Sequence, residues 1–195
     1  MTILRTEQEL EEVVLLDESG CEIGTLPKNE AHHKATPLHL AFSLFLFDDA
    51  GRFLIQQRAW SKLTWPGVWS NSCCGHPAPG EAMEDAVRRR ARYELGVSIE
   101  QLRCALPDFR YRACSNGIWE NEYCPVWIGQ VLGYPGELCS DEVAAVSWES
   151  WNDFAAASAR PQGTRFAEFS PWSLMEARQL RTAPILVQAL ARWTR

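Results

Sequence analysis

The sequence lacks a long hydrophobic segment. None of its apolar runs approaches the roughly 18–20 residues that a membrane-spanning helix needs. Residues 1–12 are polar and acidic and contain no apolar stretch of the signal-peptide type, so they are predicted to form a loose leader. These absences predict a cytoplasmic protein with no membrane partner.

Positive charge is also scarce. The chain carries 19 Lys and Arg residues against 25 Asp and Glu residues, which gives a net charge of −6. Its longest basic run is Arg88-Arg89-Arg90, with Arg92 close behind. Because nucleic-acid binding needs a basic face, no nucleic-acid partner is predicted. A small anionic substrate remains compatible with this charge, since a pocket needs only a few local cations.

A disulfide framework is absent too. The seven cysteines are odd in number and irregular in spacing, which predicts free thiols in a reducing cytoplasm. The 195 residues are 46% hydrophobic, enough for the core of one domain, and contain no internal repeat, low-complexity tract or linker. We expect a monomer or a weak homo-oligomer.

Apolar runs separated by turn residues predict a mixed α/β domain. The strongest strand signal is residues 38–47, a nearly unbroken apolar run followed at hairpin distance by residues 53–57. The other predicted strands cover 13–16, 102–110, 123–131 and 144–148, and helices are predicted near 150–157 and 171–180.

The clearest helix covers residues 81–95. Its first turn carries Glu81, Glu84 and Asp85 and its second half carries four arginines, an order that suits the helix macrodipole. Gly96 then stands where a glycine commonly ends a helix.

Histidines and glutamates form a candidate metal site. His32, His39 and His76 stand at three separated positions, and Glu120 and Glu122 form an E-x-E motif. On an extended segment, residues two apart point to the same face. Three imidazoles and two carboxylates would suit Zn²⁺, Mn²⁺ or Fe²⁺, although a single histidine is more often an ordinary polar or half-buried residue.

Two of these choices stay open on residue type alone. His33 could replace His32 as a ligand. Cys74 precedes Gly-His, but a lone buried thiol usually serves packing, and Cys73 beside it is equally eligible.

The spacing around the clearest helix is more specific. Gly75 and Glu81 are separated by five residues, Glu81 and Arg89 by seven, and residues 94–97 close the segment. This resembles the Nudix box, G-x5-E-x7-R-E-U-x-E-E-x-G-U, a loop–helix–loop that holds metal and diphosphate.

Two glutamates of that box are replaced, by Arg90 and Tyr93. The change should weaken the carboxylate cluster with which the hydrolases gather metal ions that activate water. Arg90 and Glu94 lie one turn apart and could share a diphosphate–metal complex, with Glu94 on the ion and Arg90 on an oxygen. An ordinary surface ion pair is the alternative.

The altered box and a series of other motifs together resemble the type I isopentenyl-diphosphate isomerases, a Nudix-fold family. The matching stretches follow the family order and span nearly all of the chain except its two ends. They are residues 31–32, 38–42, 65–69, 71–77, 92–97, 107–112, 120–122, 124–125 and 169–172.

The resemblance implies a single Nudix-like α/β/α sandwich with a mixed sheet. Residues 13–180 would form the catalytic domain and 181–195 a C-terminal helical tail of it. The implied reaction interconverts isopentenyl and dimethylallyl diphosphate through a tertiary carbocation, for isoprenoid biosynthesis. Cys74 and Glu122 would handle the protons, with Tyr111 beside the acid and Trp172 near the cation.

The resemblance also implies two divalent ions. One, Zn²⁺ or Mn²⁺, would be bound by His32, His39, His76, Glu120 and Glu122. Mg²⁺ would bind together with the substrate diphosphate, on Glu94 and the backbone oxygen of Cys74. The implied diphosphate contacts are Arg58, Lys62, Arg90 and Lys28.

Two other functions share this fold. A Nudix hydrolase of a nucleoside or sugar diphosphate is the first, and Arg90 and Tyr93 in place of carboxylates argue against it. A non-catalytic binding module is the second, and it predicts that Cys74 and Glu122 are dispensable. Which of these two groups donates the proton is not assigned by the residues.

Overall fold

The structure is a computed structural model that describes residues 11–194, with twelve strands and five helices in that range. The strands are β1 Glu12–Leu16, β2 Glu22–Pro27, β3 His39–Leu40, β4 Phe42–Phe47, β5 Arg52–Arg58, β6 Trp69–Ser70, β7 Cys73–Gly75, β8 Gln101–Leu106, β9 Arg110–Ser115, β10 Ile118–Tyr123, β11 Val126–Gln130 and β12 Val143–Ser150. The helices are α1 Lys28–Ala31, α2 Met83–Leu95, α3 Trp151–Ala157, α4 Pro171–Leu180 and α5 Pro184–Trp193. Among residues 11–194, no helix combines the length and apolar character needed to span a bilayer.

The strands form two mixed sheets. The first has the order β2-β1-β3-β10-β9, with β3 parallel to β10 and the other pairs antiparallel. The second has the order β12-β5-β4-β11-β8, with β4 parallel to β11, and the short strands β6 and β7 pair with β5 and β4.

Strand β4 is buried on both faces. Phe42, Leu44 and Leu46 pack into one hydrophobic cluster, whereas Phe45 and Phe47 pack into another, as the two-residue period of a strand requires. The first cluster is completed by Ala86, Val87, Ala91 and Leu95 of α2. The second is completed by residues of α3, α4 and α5, among them Phe154, Leu180 and Leu186. The second sheet therefore lies between two helical layers, which confirms the predicted α/β/α sandwich.

Several predicted elements agree with the structure. The helix over residues 171–180 has the predicted bounds, and the strands at 53–57 and 144–148 are each one or two residues longer at either end. Helix α2 begins at Met83 rather than residue 81 and ends at Leu95 as predicted. Gly96 caps it with a left-handed φ of +63°, which glycine allows. The C-terminal tail contains α5, which packs into the core.

Three predicted strands are each divided in the structure. Residues 38–47 form two strands in different sheets, because the chain crosses from one sheet to the other at Ala41. Residues 123–131 are interrupted at Pro125, which has no backbone N–H to donate to a ladder. Residues 102–110 are interrupted by the turn that follows Pro107.

The predicted leader lies outside the described residues as far as residue 10. Glu12 already belongs to β1, and the backbone oxygen of Glu11 accepts a hydrogen bond from the Lys28 N–H at 2.7 Å. The last two leader positions are therefore part of the folded domain.

Replacing Gly96 with Ala is expected to lower the free energy of unfolding by about 1 kcal/mol or more, because φ is positive and a Cβ would lie 3.0 Å from the backbone of Gly136 and Glu137. Urea denaturation measures the loss. Gly133→Ala is the matched control, since φ there is +86° but nothing lies within 4 Å of the added carbon. Equal losses in the two variants would show that the contact at Gly96 has no effect.

Candidate active site and metal cluster

A pocket of about 520 Å³ contains nearly every residue singled out in the sequence. Its lining includes Lys28, His32, Arg58, Lys62, Cys74, His76, Arg90, Glu94, Tyr111, Glu120, Glu122 and Trp172. His39 is fully buried and reaches the same place through its ring contact with His76, at a centroid distance of 5.1 Å.

The first sheet sets three of these residues in one row. Glu122 of β10 pairs with His39 of β3 on one side and with Tyr111 of β9 on the other. Directly paired residues project to the same face of a sheet, so the three side chains share the pocket face. Glu120, two positions earlier, projects there as well, as predicted for the E-x-E motif.

A two-residue turn fixes that register. Asn116 and Gly117 join β9 to β10, with φ values of +51° and +80°. Positive φ at both positions is the geometry of the tight hairpin turn that Asn-Gly favours, and its twist matches that of the flanking strands. The turn therefore places Glu122 opposite Tyr111.

Four side chains converge at the metal cluster, which comprises His32, His39, His76 and Glu122. One ligand atom from each lies within 4.8 Å of the others. Glu122 Oε1 is 3.6 Å from His39 Nε2 and 3.4 Å from His76 Nε2. Glu120 is outside this group of four, but its Oε2 lies 3.2 Å from His32 Nε2.

The hydrogen bonds of the cluster fit a divalent cation. His39 Nδ1 lies 2.9 Å from the Pro37 oxygen, which accepts its proton and leaves Nε2 as the free lone pair. Among residues 11–194, the buried His39 Nε2 and both ring nitrogens of His76 have no hydrogen-bond partner. Buried nitrogens without partners are unfavourable, whereas nitrogen and carboxylate oxygen are common ligands of Zn²⁺ and related ions.

The protonation states of His76 and Glu122 also suit the binding of a cation. Burial lowers the pKa of His76 to about 3, so the imidazole is neutral and able to bind a cation. Burial alone would raise the pKa of Glu122, but the imidazoles of His39 and His76 outweigh it and hold that pKa well below its usual range. Glu122 is therefore an ionised carboxylate.

The structure resolves both neighbouring-residue alternatives. His33 is exposed, and its Nδ1 accepts a hydrogen bond from the Ala35 N–H at 3.0 Å, so His32 is the histidine at the pocket. Cys73 and Cys74 project to opposite faces of β7. Cys73 packs in the cluster below α2, whereas Cys74 lines the pocket.

The Cys74 thiol lies between polar and aromatic groups. It donates to Asn71 Oδ1 at 3.3 Å and lies 3.4 Å from Ser43 Oγ. Burial raises its pKa to about 12, so the sulfur is protonated near neutral pH. Beyond it lies an aromatic wall, which comprises Trp65, Tyr111 and Trp172. The centroid of the Trp172 ring is 5.4 Å from the centroid of the Trp65 ring and 5.8 Å from that of the Tyr111 ring.

Carboxylates balance three of the cations that line the pocket, Lys28, Lys62 and Arg90. Arg90 Nη2 is 2.5 Å from Glu94 Oε1, and the two residues are only 5% and 3% exposed, so the alternative of a surface ion pair is wrong. Lys28 pairs with Glu11 at 2.5 Å, and Lys62 pairs with Glu142. Glu142 Oε1 also lies 3.3 Å from Arg90 Nη2. These cations are available to an anion that displaces or joins the carboxylates.

Comparison with known proteins gives the family. Residues 37–173 match the NUDIX domain. The chain is 53% identical over 180 residues to an isopentenyl-diphosphate Delta-isomerase of Mycolicibacterium vanbaalenii, covering 89% of this chain and 93% of that protein. It is 46% identical over 172 residues to the isopentenyl-diphosphate Delta-isomerase of Saccharopolyspora erythraea, covering 88% and 86%.

The chain belongs to the isopentenyl-diphosphate Delta-isomerase family. Membership of this isomerase family confirms the resemblance inferred from the motifs, and it does not favour the hydrolase alternative.

Solved structures agree on the fold. DR0079 of Deinococcus radiodurans superposes with a TM-score of 0.60 at 19% identity, covering 95% of this chain and all (100%) of that one. A MutT protein of Methanosarcina mazei gives a TM-score of 0.55 at 17% identity, covering 75% and 96%. The isomerase-family chain therefore has the Nudix fold.

Some residues of this isomerase-family site are not anticipated by the sequence analysis. Glu11 falls within the predicted leader, and nothing in the sequence marks Glu142. Asn71 lies in the matching stretch 71–77, but the sequence predicts no role for it. Glu176 does have a signal, because it follows Trp172 by four residues and so lies on the same face of α4. Its side chain is fully buried.

Proposed function

We propose that this pocket interconverts isopentenyl diphosphate and dimethylallyl diphosphate, with Cys74 and Glu122 as its two proton-handling groups. The observation that supports this proposal is that the Cys74 thiol and the Glu122 carboxylate of the metal cluster line one pocket together with Tyr111 and Trp172 of the aromatic wall. The reaction adds a proton to one carbon and removes a proton from another. The group that donates in one direction accepts in the reverse direction.

An alkene is a very weak base, so its protonation needs a positioned acid in a site from which water is excluded. Tyr111 is paired with Glu122 across β9 and β10 and is itself buried. Burial raises the pKa of Tyr111 well above its ordinary value, and the charges of Glu122 and Glu120 raise it further. The phenol therefore keeps its proton beside the Glu122 carboxylate. Positioned acid–base groups contribute about 10²–10⁴-fold in rate.

The aromatic wall supports the carbocation. An indole face attracts a positive charge by about 2 kcal/mol or more when water is excluded. Trp172 is 3% exposed and lines the pocket, and Trp65 packs edge-on against it at an interplanar angle of 85°. We assign Trp172 the role of stabilising the tertiary cation between the two proton transfers.

The metal cluster fits one divalent ion, Zn²⁺ or Mn²⁺. Its ligands would be His32, His39, His76, Glu120 and Glu122. When bound, this ion would supply a fixed positive charge beside the carboxylate. His39 Nε2 and His76 Nε2 lie 3.6 and 3.4 Å from Glu122 Oε1, close enough for the three residues to bind the same ion.

The cations that line the pocket suit the diphosphate. Arg58, Lys62, Arg90 and Lys28 are assigned to its oxygens. Glu94 and the backbone oxygen of Cys74 would hold Mg²⁺ together with the diphosphate. Glu94 Oε2 has a long 3.4 Å contact with Gln56 Nε2, so this oxygen is available to a cation. Magnesium typically takes one or two carboxylates together with substrate phosphates.

The test is an incubation of the purified chain with isopentenyl diphosphate and Mg²⁺ in D₂O, followed by NMR. Dimethylallyl diphosphate that carries deuterium is the expected product. The same preparation should release no phosphate from nucleoside diphosphates, as a hydrolase would. Absence of both the product and deuterium uptake would refute the proposed reaction.

We further propose that the protein acts in the cytoplasm as a monomer or weak homo-oligomer. Its seven cysteines are all free, which suits a reducing compartment.

A further inference from the structure

Asn71 is a fully buried residue at the centre of a polar network. Its Oδ1 receives a hydrogen bond from the Cys74 thiol at 3.3 Å and from the Trp172 indole N–H at 3.1 Å. The hydroxyls of Ser70 and Ser173 each donate to the same oxygen at 2.9 Å. One carboxamide oxygen therefore joins the thiol on β7 to the indole on α4.

The orientation of this carboxamide is determined by its partners. Asn71 Nδ2 donates to the backbone oxygens of Leu44 and Cys73, both at 3.1 Å. The Trp172 indole nitrogen can only donate, so it requires an acceptor. If the oxygen and nitrogen of Asn71 were exchanged, the amide N–H groups would face the Trp172 N–H donor. The amide oxygen would then face the backbone oxygens of Leu44 and Cys73.

We propose that Asn71 is a positioning residue that fixes the Cys74 thiol and the Trp172 indole relative to each other. The inference rests on the proposed roles of those two residues in the isomerisation. Asn71 does not line the pocket, so it acts on the reaction through them.

The reason for such a link is geometric. A thiol that exchanges a proton with one carbon and a ring that faces the neighbouring cation must keep a fixed separation during both proton transfers. A displacement of about 1 Å can change a rate about 100-fold. Because the two residues are 98 positions apart in the sequence (172 − 74), local structure alone does not fix their separation. The buried oxygen of Asn71 contacts both residues, and the Ser70 hydroxyl that donates to this oxygen also accepts from the indole N–H at 3.1 Å.

Asn71→Ser removes the shared oxygen and both amide donors. We expect kcat to fall about 10- to 100-fold with KM changed less than about twofold, since no diphosphate contact is altered. Trp172→Phe keeps an aromatic ring but removes the N–H donor to Asn71. Combining the two substitutions should lower kcat by less than the product of the single effects, because both break the same link.

Ser170→Ala is the matched control. Ser170 is a buried member of the same network whose hydroxyl contacts Ser70 and Ser173 but neither Asn71 nor Trp172. It should lower the thermal midpoint while leaving kcat within about twofold of the original.

Three outcomes would overturn the inference. They are an unchanged kcat in Asn71→Ser, a parallel rise in KM, or effects of Asn71→Ser and Trp172→Phe that multiply. If Asn71→Ser fails to fold, an unchanged kcat in Trp172→Phe would overturn it. Full turnover in Cys74→Ala would instead contradict the proposed function. An inactive Cys74→Ala combined with a fully active Asn71→Ser would contradict the positioning role alone.

Discussion

Cys74→Ala is expected to lower kcat by about 10²–10⁴-fold, the range that a positioned acid–base group contributes. The thiol lines the pocket, and the substitution removes only its sulfur. The backbone oxygen assigned to Mg²⁺ remains, so diphosphate binding should persist. Steady-state kinetics with isopentenyl diphosphate measures both quantities. A large fall in kcat with little change in KM is the signature of a group that acts on the reacting carbons.

The neighbouring cysteine provides an internal control. Cys73 stands next to Cys74 on β7 but is fully buried among the residues that α2 covers. Cys73→Ala should therefore reduce the free energy of unfolding by about 1 kcal/mol through a small cavity, with kcat nearly unchanged. Turnover at the original rate in Cys74→Ala, or equal loss of kcat in the two variants, would contradict the assignment of the thiol.

Glu176 should make the stability of the protein fall as pH rises. Burial raises the pKa of this carboxyl from an ordinary 4.5 to about 8; the nearby Ser43 hydroxyl opposes the shift, and the charge of Glu122 adds to it. Among residues 11–194, neither carboxyl oxygen has a partner in hydrogen-bonding geometry. Glu176 is therefore a neutral acid in the folded chain at pH 7.

The direction follows from proton binding. Between pH 4.5 and about 8 the folded chain keeps a proton that the unfolded chain has released. Unfolding becomes more favourable by about 1.4 kcal/mol per pH unit in that window. This contribution of Glu176 is complete below pH 4.5 and is lost as pH passes about 8. The total loss is on the order of 5 kcal/mol.

Glu176→Gln tests this dependence, because glutamine keeps the shape and does not titrate. Urea denaturation from pH 5 to pH 9 in EDTA, which keeps both proteins free of metal, should give curves that diverge. The variant should have a stability similar to the original at pH 5 and exceed it at pH 9 by several kcal/mol. Parallel stability curves for the two proteins would show that Glu176 does not titrate in this window.

The local elements of the fold are well anticipated by sequence patterns. The helix over residues 171–180 begins at a proline, which is common at the first helical position, so its start is marked in the sequence. By contrast, the single strand predicted at 38–47 is two strands in the structure. A run that is buried on both faces gives no periodic signal, so nothing at Ala41 shows that the chain changes sheets. The Asn116-Gly117 pair is a hairpin signal that the predicted strand bounds overlook.

For the site as well, the sequence predicts some features and only the structure shows others. Residue types and motif order identified the histidines, Glu122 and Cys74, but their convergence depends on strand pairing. His39 and Glu122 are 83 positions apart in the sequence (122 − 39) and are direct neighbours only because β3 and β10 pair in parallel. The choice of Cys74 over Cys73 likewise needs the direction of β7. Asn71 carries no chemistry of its own, so only its partners reveal it.

The turn at Asn116-Gly117 touches neither a metal ligand nor the substrate pocket, yet it limits how this part of the chain can change in length. An inserted residue would have to form a three-residue loop with its own bulge, or β10 would slide by one position along β9 and exchange Glu122 for Asn121 or Tyr123 opposite Tyr111. Length variation in relatives of this chain should therefore avoid this hairpin.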